Sequence, residues 1–209
     1  MSELITASDG RIARGNRTRV QLLASALKLF GERGFFATTM KDLAHEAGVS
    51  PPAVYNHFDS KESVLFAALT WGLQKFQDYV IDNDDSELDP TARLEGVVRR
   101  HARHQIKFAR RAEFADRLLD AVAAGELLTE TQRDIITGIR ANYHDLVDSL
   151  ILQVAATSDS RTPPTHMCRA AILNLCDRSP QWVNSPQNAT GSTSIEDDVW
   201  FLVQGMLRI

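Results

Sequence analysis

Between Thr38 and Lys61 the chain gathers side chains that recognise by hydrogen bonding and charge. They are the hydroxyls of Thr38, Thr39, Ser50 and Tyr55, the Asn56 amide, the His57 imidazole and the ammonium groups of Lys41 and Lys61. Groups of these types suit phosphate oxygens and base edges, contacts that make and break no covalent bond. A second concentration, His101 and His104, is three apart on one helical stretch. That spacing can bind metal, but no matching His, Cys or carboxylate cluster stands elsewhere in the sequence, so no metal is expected. No Ser-His-Asp or Cys-His set and no glycine-rich phosphate loop is present, so neither an enzyme nor a bound cofactor is expected. Cys168 and Cys176, eight apart in an apolar stretch, read as buried reduced thiols.

The elements that must position these groups are helices. Residues 1–16 lack apolar periodicity, contain Gly10 and Gly15, and read as a flexible basic tail. From Arg17 to Glu32, Leu22, Leu23, Ala26, Leu27 and Phe30 keep helical spacing, and Gly34 supplies a stop. Thr39 and Asp42 form a capping box before a short helix with Leu43, Ala44 and Ala47 on one face, closed by Gly48. Ser50 followed by Pro51 and Pro52 opens a third helix ending near Phe58. Asp59 with Glu62 reads as another capping box, starting a longer amphipathic helix through Trp71 and Phe76. Further helices are expected over Thr91 to about Arg110, Glu113–Ala123, Glu130–Ala156, Pro164–Asp177 and Ser194–Leu207, with loops over Asp82–Pro90 and 179–194. The expectation is an all-α protein of about nine helices. It divides into the tail at 1–16, a helix-turn-helix domain at 17–62 and a larger helical domain at 63–209.

Net charge is −4 overall, yet residues 11–61 alone carry +4. A basic head on an acidic body fits a protein whose head alone meets phosphate. No signal-like start and no apolar run of about 20 residues is present, which predicts a cytoplasmic protein with no membrane partner.

Thr38-Thr39-Met40-Lys41-Asp42-Leu43-Ala44, Gly48-Val49-Ser50-Pro51 and Val54-Tyr55-Asn56-His57-Phe58-Asp59-Ser60-Lys61-Glu62 together resemble the TetR family of repressors. The likeness runs over residues 17–66 without a gap. It implies a DNA-binding transcriptional repressor whose third helix enters the major groove of double-stranded operator DNA. On that orientation Thr39 and Thr38 would face a phosphate at a helix start, with Tyr55, His57 and Lys61 meeting other phosphates. Lys41 is expected on a phosphate rather than a guanine. Ser50, Pro52, Ala53 and Asn56 would stand nearest the base edges, Pro and Ala offering only apolar contacts, and Pro51 is counted with the DNA-binding residues without an assigned contact. Arg11, Arg14 and Arg17 either reach an adjacent minor groove or are solvated.

The resemblance further implies a homodimer joined through the last two helices, a near-palindromic operator, and a small-molecule effector acting through the connector helix at residues 60–80. Trp71, Phe76, His101, His104, Phe108, Phe114, Tyr143 and Asn174 are available to line its pocket. Arg99, Arg100, Arg103, Lys107, Arg110 and Arg111 form either a solvated face or a seat for a phosphate-bearing ligand. The carboxy-terminal layout is weakly similar to family members controlling lipid or steroid catabolism, some of which sense acyl-CoA thioesters. Two other readings stay open, a multidrug-sensing efflux repressor and a DNA-binding architectural protein without a ligand.

Overall fold

A computed structural model describes residues 2–123, 127–157, 163–183 and 194–209. Among them there are nine helices and no strand: α1 Ser2–Arg33, α2 Met40–Glu46, α3 Pro51–Tyr55, α4 Lys61–Val80, α5 Pro90–Lys107, α6 Ala109–Ala123, α7 Glu130–Ala156, α8 Thr165–Val183 and α9 Ile195–Leu207. The all-α expectation therefore holds. The described residues form two compact units, one of Met1–Gly72 with Arg110–Ile136, the other of Leu73–Ala109 with Thr137–Ile209.

In the first unit, Leu22, Leu23, Ala26, Leu27 and Phe30 of α1 are buried as their spacing requires. Gly34, at φ +84°, turns the chain out of α1 while its N–H bonds back to Phe30, a left-handed exit that glycine makes at no steric cost. Where the sequence suggests a flexible tail over 1–16, α1 instead reaches back to Ser2. Once the packed part has nucleated the helix, each added turn costs little, and with no proline to stop it the two glycines at about 1 kcal/mol each do not break it. The side chains of Arg11 and Arg14, proposed for the minor groove, lie outside the described residues, and so do those of Arg110 and Arg111.

In the second unit a core forms around Leu94, Val97 and Val98 of α5, Val147, Leu150 and Ile151 of α7, Ile172 of α8 and Val199 and Val203 of α9. Cys168 and Cys176 are buried in it as free thiols. The helix expected to end at Asp177 runs on to Val183 through Pro180. Proline interrupts a helix by removing one N–H and crowding the preceding turn. Here Ser179 is buried with its hydroxyl on the Ala102 carbonyl, and Trp182 packs on the core, so tertiary contacts hold the last turn. The Pro186 part of the expected loop falls outside the described residues.

Candidate nucleic-acid interface and effector site

The recognition elements are built from two short helices over a sealed core. Thr39 caps α2 as expected: its hydroxyl accepts from the Asp42 N–H at 3.1 Å, and the Asp42 carboxylate accepts the Thr39 N–H at 2.8 Å. Gly48, at φ +67°, then reverses the chain, and the Val49 N–H returns to the Ala44 carbonyl at 2.9 Å. Pro51 and Pro52 occupy the first turn of α3, where no N–H is needed. Val54 and Phe58 anchor the far side by burial. The next cap differs from expectation. Ser60 and Ser63 exchange reciprocal bonds at 3.2 and 3.1 Å, taking the place read for Asp59 and Glu62.

This scaffold leaves Thr39, Lys41, Ser50, Pro51, Pro52, Tyr55 and Asn56 exposed and Ala53 and His57 half-buried. Ser50 spends nothing on its own helix, since its side chain makes no capping bond. Thr39 is more constrained, because its hydroxyl proton goes to the Asp42 carboxylate at 2.6 Å. That bond, with the backbone bond from Thr39, holds the Asp42 carboxyl below its ordinary range.

Two residues leave the expected phosphate surface. Thr38 is fully buried, its hydroxyl donating to the Gly34 carbonyl at 2.9 Å and lying 3.4 Å from that of Leu29. Lys61 turns its ammonium inward to the carbonyls of Phe35 at 2.8 Å and Thr38 at 2.9 Å, above the Phe35 ring. Both serve the turn between α1 and α2. Lysine donates three protons and finds here two acceptors whose helix has already ended.

Arg19 was overlooked in the sequence. Its guanidinium lies 4.6 Å from the Phe58 ring centroid and 3.5 Å from the His57 carbonyl, tying α1 to the exit of α3. No local pattern relates residues 38 positions apart.

The second unit brings five of the predicted effector residues together. Phe76 stands edge-on to His101, His104 and Tyr143, with centroids 4.9, 5.2 and 5.1 Å away. Phe108 packs against His104 at 4.8 Å. The buried His101 ring bonds through Nδ1 to the Tyr143 hydroxyl at 2.9 Å and through Nε2 to Asp177 Oδ1 at 3.0 Å. Burial pulls the His101 imidazole down, but Cys176 and Asp177 outweigh it and push it up to about 10. As the imidazolium it donates from both nitrogens. Gln105 Nε2 donates to the same Asp177 oxygen at 2.6 Å. His104 behaves oppositely: burial, then the charges of His101 and Lys107, push it down to about 4.

The other three predicted residues have other surroundings. Trp71 belongs to the first unit. Phe114, also in that unit, packs so closely on Gly31 that a Cβ there would overlap it. Asn174 is exposed, its amide oxygen accepting from Arg178 at 3.1 Å. Gln105, Asp177 and Tyr79, whose ring lies 5.5 Å from His104, were missed. The basic face of α5 is largely spent. Arg99 pairs with Glu95 and Asp197, Arg103 with Glu196 at 2.9 Å, and Arg100 donates to the Val80 carbonyl. Among the described residues no group of three or more potential ligands can hold a metal, and no helix is long and apolar enough to cross a membrane.

Several known proteins are similar to this chain. The HTH-type transcriptional repressor KstR2 of Mycobacterium tuberculosis (strain H37Rv) is 38 % identical over 86 residues, 39 % of this chain and 41 % of that protein's length. The HTH-type transcriptional activator FasR of Mycolicibacterium smegmatis is 24 % identical over 202 residues, 94 % of this chain and 88 % of FasR. AibR, solved in complex with isovaleryl coenzyme A and operator DNA, superposes with a TM-score of 0.72 at 21 % identity, over 91 % of this chain and 98 % of AibR. The family model of bacterial regulatory proteins of the tetR family matches residues 22–68, and that of the tetracyclin repressor-like C-terminal domain matches residues 87–200. Sealed α2–α3 scaffold, exposed polar row and both domain matches agree: this chain belongs to the TetR family of transcription regulators.

Proposed function

We propose that the protein is a ligand-responsive transcriptional repressor that binds a near-palindromic operator as a homodimer and leaves it when a small-molecule inducer binds. In this reading residues 17–62 bind DNA and residues 63–209 bind effector and partner. The observation that carries it is the exposed row Lys41, Ser50, Pro51, Pro52, Tyr55 and Asn56 on two short helices over a closed core. Lys41, Tyr55 and His57 position the head on phosphates, and Ser50, Pro52, Ala53 and Asn56 read bases. The test is a gel shift on duplexes selected by the protein from a random pool. Tyr55→Ala weakens binding to every sequence, whereas Asn56→Ala relaxes preference at one base position. Full affinity in Tyr55→Ala overturns the phosphate assignment.

Dimerisation through α8 and α9 is supported by large apolar side chains left bare there. Met167 is 57 % exposed, Phe201 74 % and Leu202 50 %. A second copy covers such a face by an isologous contact. Helix α4 contributes to both compact units and carries the effector signal in this reading. The inducer then acts by preferring the conformation that does not fit the operator.

For the inducer we propose an acyl-CoA thioester or another lipid or steroid metabolite. Support comes from the isovaleryl coenzyme A bound by AibR and from the description of KstR2 as a ketosteroid regulator. One observation favours a second reading, an efflux repressor sensing apolar compounds. Arg99 and Arg103 are paired with acids, so α5 offers few free cations to a phosphate-bearing ligand. A thermal-shift screen of acyl-CoAs, steroids and drugs separates the two, since a ligand raises the melting temperature according to its affinity for the folded state.

A further inference from the structure

Among the described residues four buried side-chain atoms of the second unit have no hydrogen-bond partner: Arg100 Nη2, which lies 4.0 Å from Asp84, Asp148 Oδ1, and a pair on neighbouring residues, His104 Nδ1 and Gln105 Oε1. Gln105, 5 % exposed, leaves Oε1 buried and unbonded, and His104 leaves Nδ1 in the same condition. Native interiors seldom tolerate such atoms, because each lost its water on folding and gained nothing in return. The two residues are consecutive on α5. Gln105 Nε2 approaches His101 to 3.3 Å, and Phe76 stands edge-on to both His101 and His104.

The amide orientation is fixed by chemistry. Turning Gln105 over would set its carbonyl oxygen against the Asp177 carboxylate, at the place where Nε2 now donates at 2.6 Å. Oε1 is therefore an acceptor, and a partner must bring it a hydrogen. A carboxylate or phosphate brings none. An ammonium brings several, but it would enter beside the His101 imidazolium and the Lys107 ammonium, which lies 5.7 and 5.4 Å from the Tyr79 and Phe108 ring centroids. These same charges help keep His104 neutral. A neutral O–H meets neither objection: it donates its one proton to Gln105 Oε1, and its oxygen is left to accept from the His104 tautomer that carries its proton on Nδ1.

We infer that the effector is a neutral, hydroxyl-bearing molecule with an apolar ring body, its hydroxyl donating to Gln105 Oε1 beside His104 and its body lying among Phe76, Tyr79, Phe108 and Tyr143. This rests on the proposed reading of the second unit as the effector site, and among the inducers proposed above it selects a hydroxyl-bearing lipid or steroid over the polyanionic acyl-CoA thioester. A site built to hydrogen-bond a hydroxyl rejects the analogue without it far more strongly than an apolar pocket rejects a missing methylene.

The test is calorimetric titration of the full chain with four matched probes: 4-butylphenol, its methyl ether 4-butylanisole, 4-butylbenzoate and 4-butylbenzylamine. The phenol is expected to bind at least tenfold more tightly than each of the others. In Gln105→Met and Gln105→Leu the ratio of phenol to methyl ether falls toward one, while the affinity for the ether is kept. Equal binding of phenol and ether by the unmodified protein overturns the inference without recourse to any variant, as does a preference that survives both substitutions. The same probes are then added to the complex with the selected operator. If the ether or a charged probe binds tightest and releases DNA, the effector reading stands and the hydroxyl inference falls. If the phenol binds with the expected preference and DNA affinity does not change, the site chemistry stands and the effector reading falls. No binding by any probe at millimolar concentration overturns both.

Discussion

Lys61→Met separates two roles that a lysine at the end of a DNA-reading segment can play. In the structure its ammonium donates to two carbonyls, at 2.8 and 2.9 Å, and covers the Phe35 ring at 4.4 Å from the centroid. A hydrogen bond from a charged donor contributes about 1.5–3 kcal/mol when shielded from water. Lys61 is half-buried, so each bond here is discounted by roughly half, and the pair together contributes about 2 kcal/mol. In a chain of 209 residues that loss lowers the melting temperature by roughly 4–8 °C. The effect on DNA is distinct. A lysine that neutralises a phosphate adds about 0.9 to the slope of log K against log salt, so losing one from each protomer of a dimer reduces the slope by about 1.8. Lys61 is engaged elsewhere, and the slope in Lys61→Met should match that of the unmodified protein. Lys41→Met is the positive control. Lys41 is exposed and makes no ion pair among the described residues, and its loss should reduce the slope with little change in melting temperature. Fluorescence-anisotropy titrations from 50 to 300 mM salt, beside thermal melts, read both quantities. A Lys61→Met protein that melts unchanged and loses the slope of two phosphate contacts refutes the reasoning.

Three further outcomes follow from the packing and the titrations. Gly31→Ala forces a methyl into Phe114, whose Cβ is the first atom it meets, and should cost about 1–3 kcal/mol; combined with Phe114→Gly, which removes that Cβ, the loss should be smaller than the sum of the two single changes, and a melt of Gly31→Ala identical to wild type would sink the contact. Phe201→Asp, on the bare face of α9, should shift sedimentation at micromolar concentration from dimer to monomer while leaving the helical circular dichroism intact; a dimer that persists places the interface elsewhere. The stability of the second unit should peak near pH 6.5. His104, held down to about 4, refuses in the folded state a proton that the unfolded chain takes at about 6.5, so stability drops as pH falls from there. His101, pushed up to about 10, contributes in full below 6.5 and loses its contribution as pH rises toward 10. Urea titrations of His104→Phe should show the acid limb between pH 6.5 and 4.5 flattened and the alkaline limb retained; an acid limb of unchanged steepness in the variant would show that His104 is not its source.

What the sequence made legible was whatever is written in local spacing. The capping box at Thr39 and Asp42, the reversal at Gly48, the prolines opening α3 and the bounds of α7 all depend on residues within a few positions of one another, and each was read correctly. Where the structure departs from the expected surroundings, one cause recurs. Thr38 and Lys61 have side chains suited to phosphate, but whether a hydroxyl or an ammonium faces outward depends on carbonyls brought near by the turn between α1 and α2. Asn174 and Phe114 group with His101 by residue type alone; in the structure Asn174 is exposed on Arg178 and Phe114 packs on Gly31. The caps at Ser60 and Asp59 differ by one residue, a distinction that turns on which hydroxyl reaches which N–H.

Gln105 is a different kind of omission, because its signal was present. Leu94, Val97, Val98, His101, Ala102 and Gln105 repeat at the three- and four-residue intervals of one helical face, and all six are buried. A glutamine in that register must go into the core with whatever hydrogen bonds it can find. The sequence reading of this helix rests on its two histidines and its basic side chains and leaves Gln105 without a role. The partners of Gln105 and His101 lay beyond any such pattern, since Tyr143 and Asp177 follow His101 by 42 and 76 positions. A polar residue in a buried register is thus visible in a sequence as a question about its partner. Here the fold answers for Gln105 Nε2, which donates to Asp177, and leaves Oε1 without a partner among the described residues, the acceptor on which the inferred hydroxyl contact rests.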